Sequence, residues 1–231
     1  MKYLLNALLL ILPLVGINAQ ITSGSVTMEV TEATSDDPQM AMGLEMMKGT
    51  EMIVFFDEEN YLTEMNMMGG MVKIVNVVNH SSKKMDMLFD AMGQKIWVES
   101  NTDEAKKMQP TPDMSDYKID YDKSDVKEIK GYKAYKAIIT VPGQEDMKII
   151  GYITEEIKTN AKIIQGMEDL KLDGFPLEFS MKNPQMTMTF STTNVEEKVD
   201  ANKFKVSTDG YKKMTMEEFQ QQMGGMGGLG F

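Results

Sequence analysis

The chain has no cysteine, and its 231 residues include no arginine, one histidine and one tryptophan. Without cysteine there is no disulfide framework, no thiolate zinc or iron–sulfur site and no cysteine nucleophile. Without arginine there is no bidentate clamp for phosphate or carboxylate groups. Because the net charge of −11 repels a nucleic-acid backbone, we expect no nucleic-acid partner.

Long apolar runs are also scarce, and the one that stands out lies at the N terminus. Lys2 precedes an apolar stretch over residues 3–15, and Ala19 supplies the small residue that cleavage requires. This pattern predicts a signal peptide over residues 1–19, since a membrane-spanning helix needs about 20 apolar residues. We therefore expect an exported protein, periplasmic or extracellular, that is not an integral membrane protein. The predicted domain covers residues 20–216, and the end of a C-terminal helix and a flexible glycine-rich tail cover residues 217–231.

Apolar and polar residues alternate over most of the chain, which is the pattern of half-buried strands. Because the turns between these segments are short, we expect antiparallel neighbours in a mainly β fold with a few short helices. This periodicity alone fits either a barrel or a sandwich. The predicted strands cover residues 25–34, 50–56, 61–68, 71–79, 84–90, 95–99, 117–121, 126–129, 132–141, 147–154, 177–182 and 185–196.

Four other segments do not alternate in this way. Residues 39–48 are interpreted as a short helix or a lid over an apolar surface, and residues 101–115 as a long connection with one helical turn. Apolar residues near helical spacing predict one or two short helices over residues 155–170. Thr215 and Glu218 form a capping-box pattern that predicts a helix over residues 215–223.

Five segments of the C-terminal half stand out in their order, at residues 129–137 (IKGYKAYKA), 151–157 (GYITEEI), 174–178 (GFPLE), 199–204 (VDANKF) and 210–211 (GY). Together they resemble a family of exported bacterial proteins grouped with the LolA-like lipoprotein carriers. The resemblance spans residues 21–216 and implies a curved antiparallel sheet that forms an incomplete barrel, with helices and a loop covering its concave apolar face. Relatives in that superfamily bind acyl chains. The chain has no arginine to match the gating arginine of the carriers, and no metal or catalytic residue set comes with the family.

Methionine is the residue that the composition singles out, with 25 copies. Residues i and i+2 of a strand face the same side, so a Met-x-Met pair on a strand presents two thioethers to one face of the sheet. Three such pairs lie on predicted strands. We predict that they line the inner apolar face and bind a lipid or another hydrophobic partner. The six residues are Met65, Met67, Met85, Met87, Met186 and Met188.

The methionines admit other interpretations. Methionine is flexible and polarisable, so these side chains either fill an irregular core or form an adaptable apolar surface. Thioethers are also soft ligands that suit Cu(I), which makes periplasmic copper binding the alternative function. That alternative lacks supporting histidines, because His80 is the only one and lies in a predicted turn.

Carboxylates are the remaining candidates for chemistry. Asp120 and Asp122 could share one face and act as an acid–base pair, which makes a hydrolase the third hypothesis. No supporting catalytic, nucleotide-binding or EF-hand motif occurs in the sequence. We therefore predict a non-catalytic cell-envelope protein that has no cofactor, no metal site and no enzyme activity.

Overall fold

The structure, a computed structural model, describes residues 20–108, 117–143, 146–163 and 170–225. It contains twelve strands, three α-helices and two short 3₁₀ helices in this part of the chain. The helices are α1 (Pro38–Glu45), α2 (Thr102–Met108) and α3 (Met216–Gly225), and the 3₁₀ helices are Met68–Gly70 and Ala201–Phe204. The strands are β1 (Gly24–Ser35), β2 (Glu51–Phe56), β3 (Asn60–Met67), β4 (Val72–Asn79), β5 (Lys84–Ala91), β6 (Gln94–Asn101), β7 (Lys118–Ile129), β8 (Tyr132–Thr140), β9 (Lys148–Thr154), β10 (Phe175–Lys182), β11 (Met186–Glu196) and β12 (Lys212–Met214).

All twelve strands belong to one curved sheet, in the order β12-β6-β5-β4-β3-β2-β1-β11-β10-β9-β8-β7. Neighbours are antiparallel except for β12, which runs parallel to β6. The two edge strands, β12 and β7, do not pair with each other, so the sheet is an incomplete barrel. The predicted fold class, a mainly β protein with a curved antiparallel sheet and short helices on its concave face, is confirmed.

The strand register defines which side chains share the concave face. Met52 of β2 lies opposite Met28 of β1 and Met65 of β3, and the alternation of side chains extends this face along each strand. Leu44, next to the end of α1, and Phe219 of α3 pack against it. The Phe219 ring meets the Phe89 ring edge-on, with 5.6 Å between centroids. Helices α1 and α3 therefore cover the concave face.

The convex face has a smaller apolar cluster over β3 to β6. Leu62, Val75 and Leu88 are buried there beneath Phe204 and other residues of the segment that precedes β12. The covering segment satisfies backbone groups through its own turn, in which the amide of Tyr211 donates to the carbonyl of Thr208 at 3.0 Å. Each face of this half of the sheet is thus covered in part, and the two faces are covered by different parts of the chain.

The prediction of short helices over residues 155–170 is wrong for the part that the structure describes. Residues 155–163 form no helix, and residues 164–169 lie outside the described residues. Ile157 instead makes a parallel bridge with Ile21, because the amide of Ile21 donates to Glu156 and that of Lys158 donates to Ile21, each at 2.8 Å. Apolar residues of this segment pack on the sheet, which produced the spacing that resembled a helix.

Other differences are smaller. The strands predicted over residues 117–121 and 126–129 are one strand, β7, interrupted by a bulge between Asp122 and Val126. Strand β12 and the 3₁₀ helix before it were not predicted. The helical turn expected in residues 101–115 is α2, and the capping box of α3 is confirmed by hydrogen bonds between Thr215 and Glu218. The predicted signal peptide, residues 109–116 and the tail from residue 226 lie outside the described residues.

Candidate functional site

The six methionines predicted as ligand-binding residues all lie on the concave face. Met65 and Met67 of β3 alternate with the convex residue Leu62 and are opposite Ile74 and Val72 of β4. The pairing of β4 with β5 places Met85 and Met87 of β5 on the same face. In the other half of the sheet, Met186 and Met188 of β11 lie on this face together with the buried Phe190.

These six side chains differ in burial. Met67 is buried, whereas the other five are half-buried. Met65, Met67 and Met87 belong to a cluster around Phe89 and Phe219, and Met188 packs against the cluster of β1, β10 and β11. The concave face is therefore apolar in both halves of the sheet, and its covering elements leave much of its methionine surface incompletely shielded.

Cross-strand pairing also brings methionines next to one another beyond the predicted set. Met28, Met52 and Met65 form a row across β1, β2 and β3, each directly opposite the next. Directly opposite residues have Cβ atoms about 5 Å apart. Met28 and Met52 had not been proposed as site residues, because neither belongs to a Met-x-Met pair. The row exists only through strand order, which spacing along the chain does not reveal.

Helix α1 covers the concave face loosely. It contains no buried residue, although Asp37 caps its N terminus by accepting hydrogen bonds from the amides of Gln39 and Met40 at 2.8 and 3.2 Å. Met42 is 74% exposed. The contact with the apolar face is made by Leu44 of the helix and by Met47, which follows it. A helix held by few buried contacts opens at low free-energy cost.

A cavity of about 390 Å³ lies where the connection between β9 and β10 crosses the sheet. This volume falls in the range of small-molecule pockets. None of the six predicted methionines lines the cavity, and two of the apolar residues that do, Ile157 and Ala161, were interpreted from the sequence as part of one side of a helix. Its apolar lining includes Ile157, Ala161, Ile163, Leu170, Leu172 and Phe175, and Lys158 and Lys162 lie among its polar lining residues.

Polar contacts fix both ends of this connection to β7 and β8. The Tyr135 hydroxyl and the Lys123 ammonium group donate to the same oxygen of Glu155, at 2.9 and 3.0 Å. The hydrogen bonds from Lys123 and Tyr135 lower the pKa of Glu155, while burial and the bond to Glu155 raise the pKa of Tyr135. At the other end, the amide of Asp173 donates to the Tyr121 hydroxyl at 3.1 Å. The cavity is therefore framed by anchored residues.

The carboxylates of the third hypothesis do not form a cleft. Asp120 makes an ion pair with Lys118 at 3.2 Å, and both side chains are exposed. Asp122 accepts hydrogen bonds from the hydroxyl and the amide of Ser124, which lower its pKa. Among the described residues there is no group of three or more histidine or acidic side chains placed to hold a metal ion. His80 lies in the turn after β4, as predicted.

No family model matches the chain, and no curated protein matches it in sequence. Among solved structures it is similar to the Mycobacterium tuberculosis lipoprotein LppX, with 11% identity and a TM-score of 0.39, over 78% of this chain and 89% of that one. An uncharacterised conserved protein from Thermus thermophilus is 10% identical, with a TM-score of 0.43, over 84% of this chain and 91% of that one.

The chain is also similar to a chain in the complex of Pseudomonas aeruginosa MucA and MucB, with 12% identity and a TM-score of 0.35. That match covers 80% of this chain and 56% of the other. All three TM-scores are below 0.5, so these likenesses carry no argument about function. Separately, none of the described helices is long and apolar enough to cross a membrane.

Proposed function

We propose that this chain is a non-catalytic, exported binding protein that holds an apolar ligand, such as the acyl chains of a lipid, against its concave face. The observation that carries the proposal is the incomplete cover of an apolar face. Met65, Met87 and Met188 are half-buried on this face, whereas Met28 and Met52 on the same face are buried. Burying such surface against an acyl chain contributes about 25 cal/mol per Å² of apolar area.

Methionine suits this role because its unbranched side chain adapts to apolar partners of irregular shape. The cavity beneath the connection between β9 and β10 offers a second apolar surface, with Lys158 and Lys162 among its lining residues. An ammonium group there would favour a ligand with an anionic head. Export to the periplasm or the exterior is part of the proposal and rests on the N-terminal sequence of residues 1–19.

The absence of catalysis is likewise a proposal. A general acid or base works best when its pKa lies near the working pH. The hydrogen bonds from Ser124 move the pKa of Asp122 away from neutrality, and Asp120 is an exposed partner of Lys118. Neither residue lines the cavity of about 390 Å³. These features favour a binding protein over an acid–base hydrolase.

The test is native mass spectrometry of the chain purified from cells, with displacement of a fluorescent fatty acid as the quantitative assay. We expect a co-purified lipid and saturable binding. The triple variant Met65→Gln, Met87→Gln, Met188→Gln should lose at least tenfold in affinity, because three polar amides enter the apolar face. The matched variant with leucine at the same positions should bind normally. A bare mass together with no fatty-acid binding would refute the proposal.

A second candidate function, Cu(I) binding, is favoured by the row of Met28, Met52 and Met65. Three thioethers on adjacent strands, with neighbouring Cβ atoms about 5 Å apart, offer soft ligands to one ion. Leucine substitutions separate the two functions, because leucine keeps the packing and removes the sulfur. Anaerobic Cu(I) titration should then show binding that disappears in the Met52→Leu variant. If the unaltered chain takes up no copper in the presence of a competing chelator, this candidate is rejected.

A further inference from the structure

The exposed apolar side chains of this protein are gathered at one end of the sheet. In an antiparallel sheet, the connections β1–β2, β3–β4 and β5–β6 all lie at the same end, which we call the methionine end. Of the six large apolar side chains that are exposed in the described residues, five are methionines in these three connections. They are Met40, Met42 and Met46 around α1, Met71 after β3 and Met92 after β5, whereas the sixth, Val126, lies on β7.

The exposure is too high to be incidental to packing. Met71 is 65% exposed and Met92 is 79% exposed. Neither of their connections, residues 68–71 and 92–93, contains a charged residue. Soluble proteins rarely present grouped apolar side chains to water without a binding partner. The exposed methionine side chains come from separate turns and do not line a groove. They therefore suit a partner with a broad, deformable apolar surface.

Three lysines lie at the same end on the other half of the sheet. Lys148 is the first residue of β9 and lies directly opposite Lys182, the last residue of β10. Thr140 of β8 separates Lys148 from Lys118, the first residue of β7. Like charges directly opposite one another destabilise a sheet. Because Lys148 and Lys182 make no ion pair within the described part of the chain, an external anion would relieve this repulsion.

Of these three residues, which we call the lysine row, Lys118 is paired with Asp120 at 3.2 Å, so among the described residues Lys148 and Lys182 carry the unpaired charges. Acidic turns such as Asp57-Glu58-Glu59 lie at the opposite end, and the eight residues of β3 separate the two ends by about 26 Å. That distance is roughly three Debye lengths at physiological salt. Near the methionines, Glu45 is paired with Lys48 at 2.6 Å. The other acids at this end include Asp36, Asp37 and Asp146 in the connections, Glu51 as the first residue of β2, and Asp90 near the end of β5, which pairs with Lys95 at 3.4 Å.

We propose that the methionine end docks on an anionic lipid bilayer. The methionine tips enter the interface between headgroups and acyl chains, and the lysine row binds the lipid phosphates. Apolar insertion combined with basic residues is the pairing that holds a protein at an anionic membrane surface. The inference goes beyond the proposed function, because a docking surface for the bilayer is separate from a site that holds a ligand.

The test is flotation of the full chain with vesicles of phosphatidylcholine alone and with one-third phosphatidylglycerol. The intact mass of each preparation identifies its N-terminal residue, so that the wild type and the variants are compared with the same N terminus. We expect the wild type to float with the anionic vesicles. The variant Met42→Gln, Met71→Gln, Met92→Gln should partition at least tenfold less. The variant Lys148→Gln, Lys182→Gln should lose about fivefold for each lysine on anionic vesicles only.

Matched controls lie away from the methionine end. Val126→Gln removes the other exposed apolar side chain, and Lys133→Gln with Lys198→Gln removes two exposed lysines near the acidic turns. Neither control should change the partition. Absence of wild-type binding to the anionic vesicles, or equal losses in controls and test variants, would overturn the proposal. Lipid found in the native mass spectra but no flotation would reject bilayer docking alone. Flotation together with a bare native mass and no fatty-acid binding would support docking and reject the ligand-binding proposal.

Discussion

The two ends of the sheet differ in charge and in packing. At the methionine end, the uncharged turns at residues 68–71 and 92–93 expose Met71 and Met92, and the β1–β2 connection exposes three more methionines among charged residues. At the acidic end, the β2–β3 turn, the start of the β9–β10 connection and the end of β11 carry adjacent acidic residues. Backbones also approach closely there, because a Cβ atom at Gly174 would lie 2.4 Å from the carbonyl oxygen of Thr154. The backbone is therefore closely packed at Gly174 in the acidic end, whereas α1 at the methionine end has no buried residue.

The methionines of the two regions differ in the same way. The same residue type, methionine, is a packing element in the middle of the concave face and an exposed element at its end. The cavity near the acidic end is framed by anchored polar contacts, whereas α1 at the methionine end is held by few buried side chains. We expect substitutions of packed residues to destabilise the protein more than substitutions of exposed residues.

The largest effect should come from a methionine in the middle of the face. Met52 is 3% exposed, so Met52→Ala should lower the free energy of unfolding by about 2–5 kcal/mol, through lost burial and the cavity that remains. Met92→Ala, at the methionine end, should stay within about 0.5 kcal/mol of the unaltered chain. Urea unfolding followed by circular dichroism measures both. Equal effects at the two sites would contradict the distinction between packed and exposed methionines.

A glycine pair tests the difference in packing between the two ends. Gly174→Ala forces a methyl group against the backbone of Thr154 and should destabilise the fold by about 1–3 kcal/mol. Gly43, inside α1, has no atom within 4 Å of the position that an alanine methyl group would occupy. Gly43→Ala should therefore stabilise the chain, by up to about 1 kcal/mol, since alanine favours a helix over glycine. Thermal unfolding of the two variants should shift in opposite directions, and a shared direction would contradict this account.

A smaller effect concerns the ion pair between Lys73 and Glu64 near the methionine end. Lys73 donates to Glu64 at 2.7 Å, and the Glu64 side chain is 14% exposed. Burial alone would raise the pKa of Glu64, but the hydrogen bond and the charge of Lys73 lower it overall from its ordinary value of 4.5. The stabilisation is therefore present above that ordinary value and is lost as the pH falls through the lower folded pKa.

The variant Glu64→Gln should have a free energy of unfolding lower by about 1 kcal/mol or less at pH 7. Between about pH 5 and about pH 3 it should lose less stability than the unaltered chain. Urea unfolding at a series of pH values measures the difference. Glu58→Gln, in the acidic turn, is the control and should behave as the unaltered chain does over the same range. If Glu64→Gln lost stability more steeply than the unaltered chain as the pH falls, the prediction would be wrong.

Much of the fold could be predicted because strand signals are local. Alternation along residues 25–34 or 84–90 identified strands whose faces the structure confirms, and the Thr215–Glu218 capping box correctly marked the start of α3. The irregular segment after β9 could not be predicted. Its apolar spacing reflects packing onto a sheet whose position is set by distant strands, and the bridge between Ile21 and Ile157 joins residues far apart in sequence.

The candidate site was predicted only in part, for the same reason. Period-two spacing places both methionines of a pair on one face, which sufficed to group Met65 with Met67 and Met186 with Met188. Spacing does not reveal that Met28, Met52 and Met65 are direct neighbours, since that depends on the order of β1, β2 and β3. It also does not reveal that Met42, Met71 and Met92 share one end of the sheet.

The sequence by itself determined the absence of cysteine and arginine chemistry, the acidic charge, and the two-residue period that makes this a mainly β protein. These properties depend on residue types and on contacts between near neighbours. Tertiary structure decided which methionines are packed and which are exposed, and where the cavity and the lysine row lie. Those properties arise from strand order and register, because pairing brings together residues more than a hundred positions apart, such as Met188 and Ala33.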